Sequence, residues 1–377
     1  MAGPLEGFKI IDLCRTRPGQ LATGILADYG ADVVTIVEPG YAQRRAAGGA
    51  VAPEFGAVNL RNKRSLHLNL RAPGALDVFF RVASDADGLL ESNRPGVAKR
   101  LGVDYDAVRA VNPGIVYCSL SGFGQYGPYA GIPAHDLSYQ AVAGLLPQND
   151  RKQPYVPAYN QADMNASWFG AMALLMGLLG RSQGGQGQFI DVAFCDVSVT
   201  IPPGGSADRA MHGYYPAYSV YETRDGRYLA LSIREPWFWE RLCRLVGKEE
   251  WVPHIRPKGG LRDEMFRHFR DFFKSRTLAE STELLREQDV TFGPVNRTVE
   301  ELKDDPHLQA REMVLQTLNP LTGEAAYEPG FALKFAGTPA SLRRGPTAMG
   351  SDTGAILEEL GYDDAATRGL RESGAIG

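Results

Sequence analysis

Cysteine is scarce in this chain of 377 residues, and long hydrophobic runs are absent. The four cysteines, Cys14, Cys118, Cys195 and Cys243, stand apart with no metal-ligand spacing, which points to reduced core thiols in a cytoplasmic protein. Histidine is nearly as sparse. His67, His212, His254, His268 and His307 show no ligand spacing, so no metal site is expected. The longest apolar run, ALLMGLL, falls well short of the roughly 20 residues a bilayer requires, so no membrane span is expected. The start, MAGPLEGFKIIDL, has neither the basic nor the apolar region of a secretory leader. Charge of one sign is also missing: 40 Lys and Arg stand against 44 Asp and Glu, spread along a chain of net charge -4. Nothing in this pattern suggests a nucleic-acid or polyanion surface, and small molecules or other subunits are the expected partners. There is no internal repeat or low-complexity tract.

What is present reads as α/β. The length and 44% hydrophobic content suffice for two domains. FKIIDL is a strand, a helix follows from Gly19 to Tyr29, and ADVVTIVEP is a second strand, continuously apolar as a sheet covered on both faces requires. The intervening turn, CRTRPGQL, lacks G-x-G-x-x-G, although Glu38 stands where a ribose-binding acid would. The glycine pattern does occur at Gly122, Gly124 and Gly127, but Pro128 and a loop follow it, so it reads as a turn and not as a nicotinamide site. Strand and helix alternate to about Ser121, through RNKRSLHLNL, a helix from Gly74 to Ser84, ADGLLES and VAKRLGVDYDAVRAV, which indicates an open sheet. Asn93, Arg94 and Arg100 follow a strand end, where such sheets place ligands, and Arg61, Lys63 and Arg64 add further cations. Together they suggest a phosphate-bearing ligand.

Asp163 stands before a long apolar segment, Trp168 to Leu179, rich in Ala, Gly and Met, with His135 and Asp136 upstream. A carboxylate at a helix start is either a cap or a catalyst.

PLEGFKIIDL, GILADYGADVVTIVEPG, RNKRSLHLNL, NRPGVAKRLGVDYDAV, NPGIVYCSLSGFGQYGPYA and QGQFIDVAFCD resemble, in register, the class III CoA-transferase family (CaiB/BaiF type), which also contains the 2-methylacyl-CoA racemases. DVTFGPVNRTVEELKDDPHLQAREM and KFAGTP extend the likeness over almost the whole chain. The resemblance implies an interlaced ring dimer. Its large Rossmann-like CoA-binding domain would span 1–217 plus 320–377, with an inserted smaller α+β domain at 218–319 and IPPGGSADRAMHGYYP as a linker. It implies no permanently bound cofactor, coenzyme A entering as part of an acyl-CoA thioester. Arg94 and Arg100 would contact phosphate, with Asn93, Arg61 and Arg64 in the same role, and the family's catalytic Asp aligns with Asp163.

Two chemistries share that aspartate within the family. In transferases it is a nucleophile that passes through an acyl anhydride and an aspartyl-CoA thioester to a carboxylic acid acceptor. In racemases it exchanges an α-proton with a His on the opposite face, a Glu supporting the His. Here AHDLSYQAVAGLL resembles the racemase pattern G-H-D-[IL]-N-Y and makes His135 that base, while SIREPWFWERL resembles A-I-E-P-x-F-[YW] and makes Glu235 its support. Met164, Asn165, Ala166 and Ser167 stand where racemases have three glycines, and Gly213, Tyr214, Tyr215, Pro216 replace G-G-[LA]-P. Tyr214 and Tyr215, with Trp168, Phe169, Trp237, Phe238 and Trp239, are expected to line an aromatic pocket for a bulky acyl group, with polar Asn165 beside the thioester. The resemblance thus favours racemisation of a 2-substituted acyl-CoA, with CoA transfer as the alternative and a non-catalytic partner subunit as a third reading.

Overall fold

The runs of apolar β-branched residues become a six-stranded sheet in the computed structural model, which describes residues 3–41, 60–148, 153–200, 213–319 and 323–377. Strands β1 (Lys9–Leu13), β2 (Asp32–Val37), β3 (Lys63–His67), β4 (Gly88–Glu91), β5 (Val116–Ser121) and β6 (Gln188–Ala193) are all parallel, in the order β3-β2-β1-β4-β5-β6. The chain winds outward from β1 to β3 and then returns to β4, so the order reverses between β1 and β4. A crevice opens at such a point outside the carboxyl ends of the strands.

Helices α1 (Arg17–Asp28), α2 (Ala75–Ser84), α3 (Val97–Leu101), α4 (Tyr105–Val111), α5 (Asp136–Val142), α6 (Gln161–Ser182) and α7 (Phe194–Thr200) belong to the same half of the chain. Alternate strand residues point to opposite faces. Ile10, Val33 and Val116 pack with Ala22 and Leu26 of α1 and with Ala166, Leu174 and Leu178 of α6. Ile11, Val34 and Tyr117 pack with Val78 and Phe79 of α2 and with Ile356 and Leu370 near the C-terminus. The Ala and Gly content of α6 serves close approach. A β-carbon on Gly177 would lie 2.4 Å from Cγ1 of Val116, so any larger residue there would force the helix off the sheet.

The chain divides into two compact units, Met1–Ile201 with Gln309–Gly377, and Pro202–Leu308. The second holds an antiparallel sheet of β7 (Tyr218–Glu222), β8 (Tyr228–Ser232) and β9 (Phe292–Pro294), with α8 (Pro236–Leu245), α9 (Gly259–Lys274) and α10 (Leu278–Glu287). Trp239, Trp251, Phe269 and Phe273 fill its core. The first unit also carries the hairpin β10 (Val314–Leu318) and β11 (Ala325–Pro329).

Both crossings fall earlier than the expected 217/218 and 319/320, for local reasons. Ala217 packs in the core of the second unit and the Tyr221 hydroxyl donates to the Pro216 carbonyl. At the other end, Arg61 donates to the carbonyl of Pro329 and the Leu333 amide to the Tyr29 hydroxyl, tying the hairpin to the first unit. Most of the expected linker lies outside the described residues.

Candidate active site

A cleft of about 580 Å3 opens at the carboxyl ends of β4 and β5. Arg15, Thr16 and Arg17 reach it from the turn after β1 and the start of α1. Ser92, Asn93 and Arg94 come from the loop after β4, Ser121, Gly122 and Phe123 from β5 and its turn, and His135 and Asp163 from the starts of α5 and α6. Tyr139 and Phe194 complete an aromatic wall with Phe123, with the Phe123 and Phe194 ring centroids 5.2 Å and 5.1 Å from that of Tyr139. Gly122 lets that ring lie close against the end of β5, since a β-carbon there would sit 2.7 Å from the Tyr139 hydroxyl oxygen.

Asp163 is not the cap of its helix. That position belongs to Asn160, and Asp163 lies in the first turn, where its carboxyl accepts no hydrogen bond among the described residues. Burial pushes this carboxyl up to about 6, the negative charge of Asp136 adds to the rise, and His135 opposes it. Buried carboxyls rise in this way because desolvation penalises the charged form. The Asp163 amide donates to Oδ1 of Asp136 at 3.0 Å, and the Ser167 hydroxyl donates to the Asp163 carbonyl at 2.8 Å. His135 is exposed, lines the same cleft, and is the residue from which α5 starts.

Two cleft guanidiniums, Arg17 and Arg94, have no ion-pair partner among the described residues, while Arg15 lies 3.7 Å from Glu38. Asn93 is held in place from below. Its amide and its Nδ2 donate to Oε2 of the buried Glu91 at 2.7 and 2.8 Å. Sequence reading alone does not single out Arg15 and Arg17. The available signal is the turn CRTRPGQL itself, which lacks the glycines of a phosphate-binding nest but carries two arginines directly after a strand end.

Three expected phosphate contacts stand elsewhere. Arg61 is almost fully buried and donates through Nη2 to Asp28 at 2.6 Å, and Arg64 pairs with Asp32 and Glu359, each at 2.6 Å. Burial works against the charge of the Arg64 guanidinium, but those two carboxylates outweigh it and hold the group charged. Both residues enter β3 from its amino end, whereas the cleft lies at the carboxyl ends, so their charges are committed to structural ion pairs. Arg100 is exposed in the last turn of α3 and does not line the cleft.

The expected aromatic pocket is also revised. Trp239 is wholly buried in the core of the second unit, its indole N–H donating to the Trp251 carbonyl at 2.9 Å. Trp168 and Phe169 are exposed on α6 and do not line the cleft. Asn165 is half-buried on that helix, also outside the cleft lining, with its Nδ2 unpartnered among the described residues. Within the second unit Glu235 is half-buried at the start of α8 and Trp237 is exposed next to it. Tyr214 and Tyr215 meet edge to face at 5.1 Å, with Arg262 stacked 4.5 Å from the Tyr214 ring.

Among the described residues no group of three or more His, Cys, Asp or Glu could hold a metal ion, and no helix is long and apolar enough to cross a membrane.

The model of CoA-transferase family III matches residues 5–353. An acyl-CoA transferase of Fusarium pseudograminearum is 32% identical over 99% of this chain and 88% of its own length. The human alpha-methylacyl-CoA racemase is 30% identical over 95% of this chain and 94% of its own length. A CAIB/BAIF family protein from Brucella suis superimposes with a TM-score of 0.79 at 24% identity, covering 96% of this chain and 100% of that one, a likeness of fold. A family match of this extent, on a parallel sheet with an acidic residue and arginines at its carboxyl edge, makes the chain an enzyme of CoA-transferase family III.

Proposed function

We propose that the protein racemises or epimerises a 2-methyl or otherwise 2-substituted acyl-CoA by two-base proton transfer. The observation that carries this reading is that Asp163 and His135 line one cleft, with the Asp163 carboxyl raised to about 6, close to a working pH. The Asp163 carboxylate removes the α-proton, and the electron pair of the C–H bond moves onto the thioester oxygen as an enolate. Protonated His135 returns a proton to the opposite face of the α-carbon, inverting it. Solvent exchange then restores both groups. Arg17 and Arg94, with Asn93, are assigned to the phosphates of coenzyme A.

Incubation with a 2-methylacyl-CoA in heavy water, without any acceptor acid, is expected to place deuterium on the α-carbon. No incorporation across a panel of branched and aromatic esters would sink the proposal. Arg94→Ala should raise KM for the ester about tenfold and leave kcat nearly unchanged, because a charge-assisted hydrogen bond contributes roughly 1.5–3 kcal/mol. An unaltered KM would remove Arg94 from the binding site.

CoA transfer between carboxylic acids is the second reading. It is favoured by the absence, among the described residues, of a hydrogen bond on the Asp163 carboxyl, which leaves its oxygens open for nucleophilic attack, and by the likeness to an acyl-CoA transferase. Mass spectrometry after incubation with acyl-CoA and hydroxylamine would then find Asp163 modified.

A homodimer, interlaced as the family resemblance implies, is part of the proposal. Met164, Trp168, Met172, Leu175, Met176 and Leu179 form an exposed stripe along α6, with Met176 68% accessible. An apolar face of that length marks an interaction surface, and a second copy is the occupant proposed. Met176→Glu combined with Leu179→Glu should convert the dimer to monomer in light scattering. A wild-type protein that is already monomeric at micromolar concentration would reject the dimer.

A further inference from the structure

Asp136 adjoins one candidate base in sequence and touches the other in space. The residue is 8% exposed, at the first position of α5, immediately after His135. Oδ1 accepts the backbone amide of Asp163 at 3.0 Å, and Oδ2 accepts Nε2 of Gln140 at 2.5 Å. The same Gln140 nitrogen also donates to the carbonyl of Tyr159 at 3.0 Å, just ahead of α6. Two side chains of α5 are therefore bonded to the start of α6. A buried carboxylate normally has a cation beside it, since desolvation of an unpaired charge is costly. Among the described residues Asp136 forms no ion pair, and it is held by an amide from each helix instead.

We propose that Asp136 is a positioning residue that ties the start of α5 to the start of α6, holding His135 and Asp163 on one cleft while keeping a negative charge beside the Asp163 carboxyl. The inference rests on Asp163 being the reacting group, under either chemistry proposed above. Its electrostatic part is consistent with the upward displacement of the Asp163 carboxyl, to which Asp136 contributes. Other titratable or charged groups near these helices are His135 and Tyr139 of α5 and its cap, Cys195 and Asp196 of α7, Arg17 at the start of α1 and Arg94 after β4. None of them is hydrogen-bonded to Asp136 among the described residues. Removing the Asp136 charge thus leaves the rest of the field around Asp163 in place.

Two variants separate the tether from the charge. Asp136→Asn keeps an oxygen to accept the Asp163 amide and removes the charge, giving up the Gln140 bond because its Nδ2 cannot accept there, whereas Asp136→Ala removes both the oxygen and the charge. The Asp163 carboxyl is followed by carbon-13 NMR titration of the full-length protein, assigned with Asp163→Asn, and by the acid limb of the pH profile of α-proton exchange. With Asp136→Asn both midpoints should fall by about one pH unit, while kcat above pH 7 stays within a few-fold of wild type. With Asp136→Ala kcat should fall more than tenfold and KM less than threefold, because the phosphate-binding side is untouched. Midpoints unmoved in Asp136→Asn, or undiminished kcat in a folded Asp136→Ala, would overturn the proposal. A purely architectural role would lower thermal stability and move neither midpoint. The NMR titration needs no substrate, so a wild-type protein inert toward acyl-CoA esters would defeat the proposed reaction, and the Asp163 midpoint in Asp136→Asn would still decide the role of Asp136.

Discussion

Asp163→Asn is expected to lower kcat by about 10^3-fold in either chemistry while raising the melting temperature at pH 8. The first effect follows because asparagine can neither remove an α-proton nor form an anhydride, and a positioned base or nucleophile contributes on the order of 10^2 to 10^4 in rate. The second follows from proton linkage. The Asp163 carboxyl titrates near 6 in the folded protein and near about 3.9 in an unfolded chain, so folding tightens its hold on the proton. That favourable contribution is complete below about pH 3.9 and is lost as pH rises through about 6. At pH 8 the wild-type protein therefore holds an ionised, partly desolvated carboxylate that the amide does not have. Calorimetry of both proteins at pH 4 and pH 8 checks the sign, and a melting difference that ignores pH would contradict the assigned environment. In the wild type, kcat/KM should climb about tenfold per unit as pH rises toward 6, since the working form of Asp163 is the carboxylate.

His135→Ala carries the second large effect, and it distinguishes the reactions. Racemisation needs a proton delivered to the face opposite Asp163, so its rate should fall by about 10^2 to 10^4-fold. Asp163 remains, and the enantiomer whose α-hydrogen faces it should still exchange with solvent deuterium, with retention of configuration. Chiral chromatography combined with deuterium NMR reads both outcomes on one sample. Undiminished racemisation would remove His135 from the mechanism. CoA transfer to an acceptor acid surviving at wild-type rate, with no exchange at all, would favour the covalent route through Asp163.

The strands of the first unit are legible in the sequence because each is a local run of apolar residues that a sheet covered on both faces must bury, as in ADVVTIVEP for β2 and IVYCSLS for β5. His135 and Asp163 stand out from local motifs, each only a few residues long. Local patterns say nothing about which end of a sheet a turn occupies. The cations of RNKRSLHLNL and NRPGVAKR look equivalent as basic segments beside strands, yet one segment enters a strand and the other leaves one, and of their cations only Arg94 lines the cleft. The aromatic residues are ambiguous for a similar reason. Trp237 and Trp239 are two positions apart on α8, so the helical period sends one outward and the other into the core.

What the sequence determined by itself is the α/β class, the family, and the pair of residues from which proton chemistry can be argued, since each is carried by short-range composition or by motif order. The tertiary structure decided which arginines remain available for an anion, that the Asp163 carboxyl is raised toward neutrality, and that Asp136 bonds to the backbone of the neighbouring helix. Those properties depend on separations in space between segments distant along the chain, and on how much water is excluded there. Neither quantity is set until the helices have packed on the sheet.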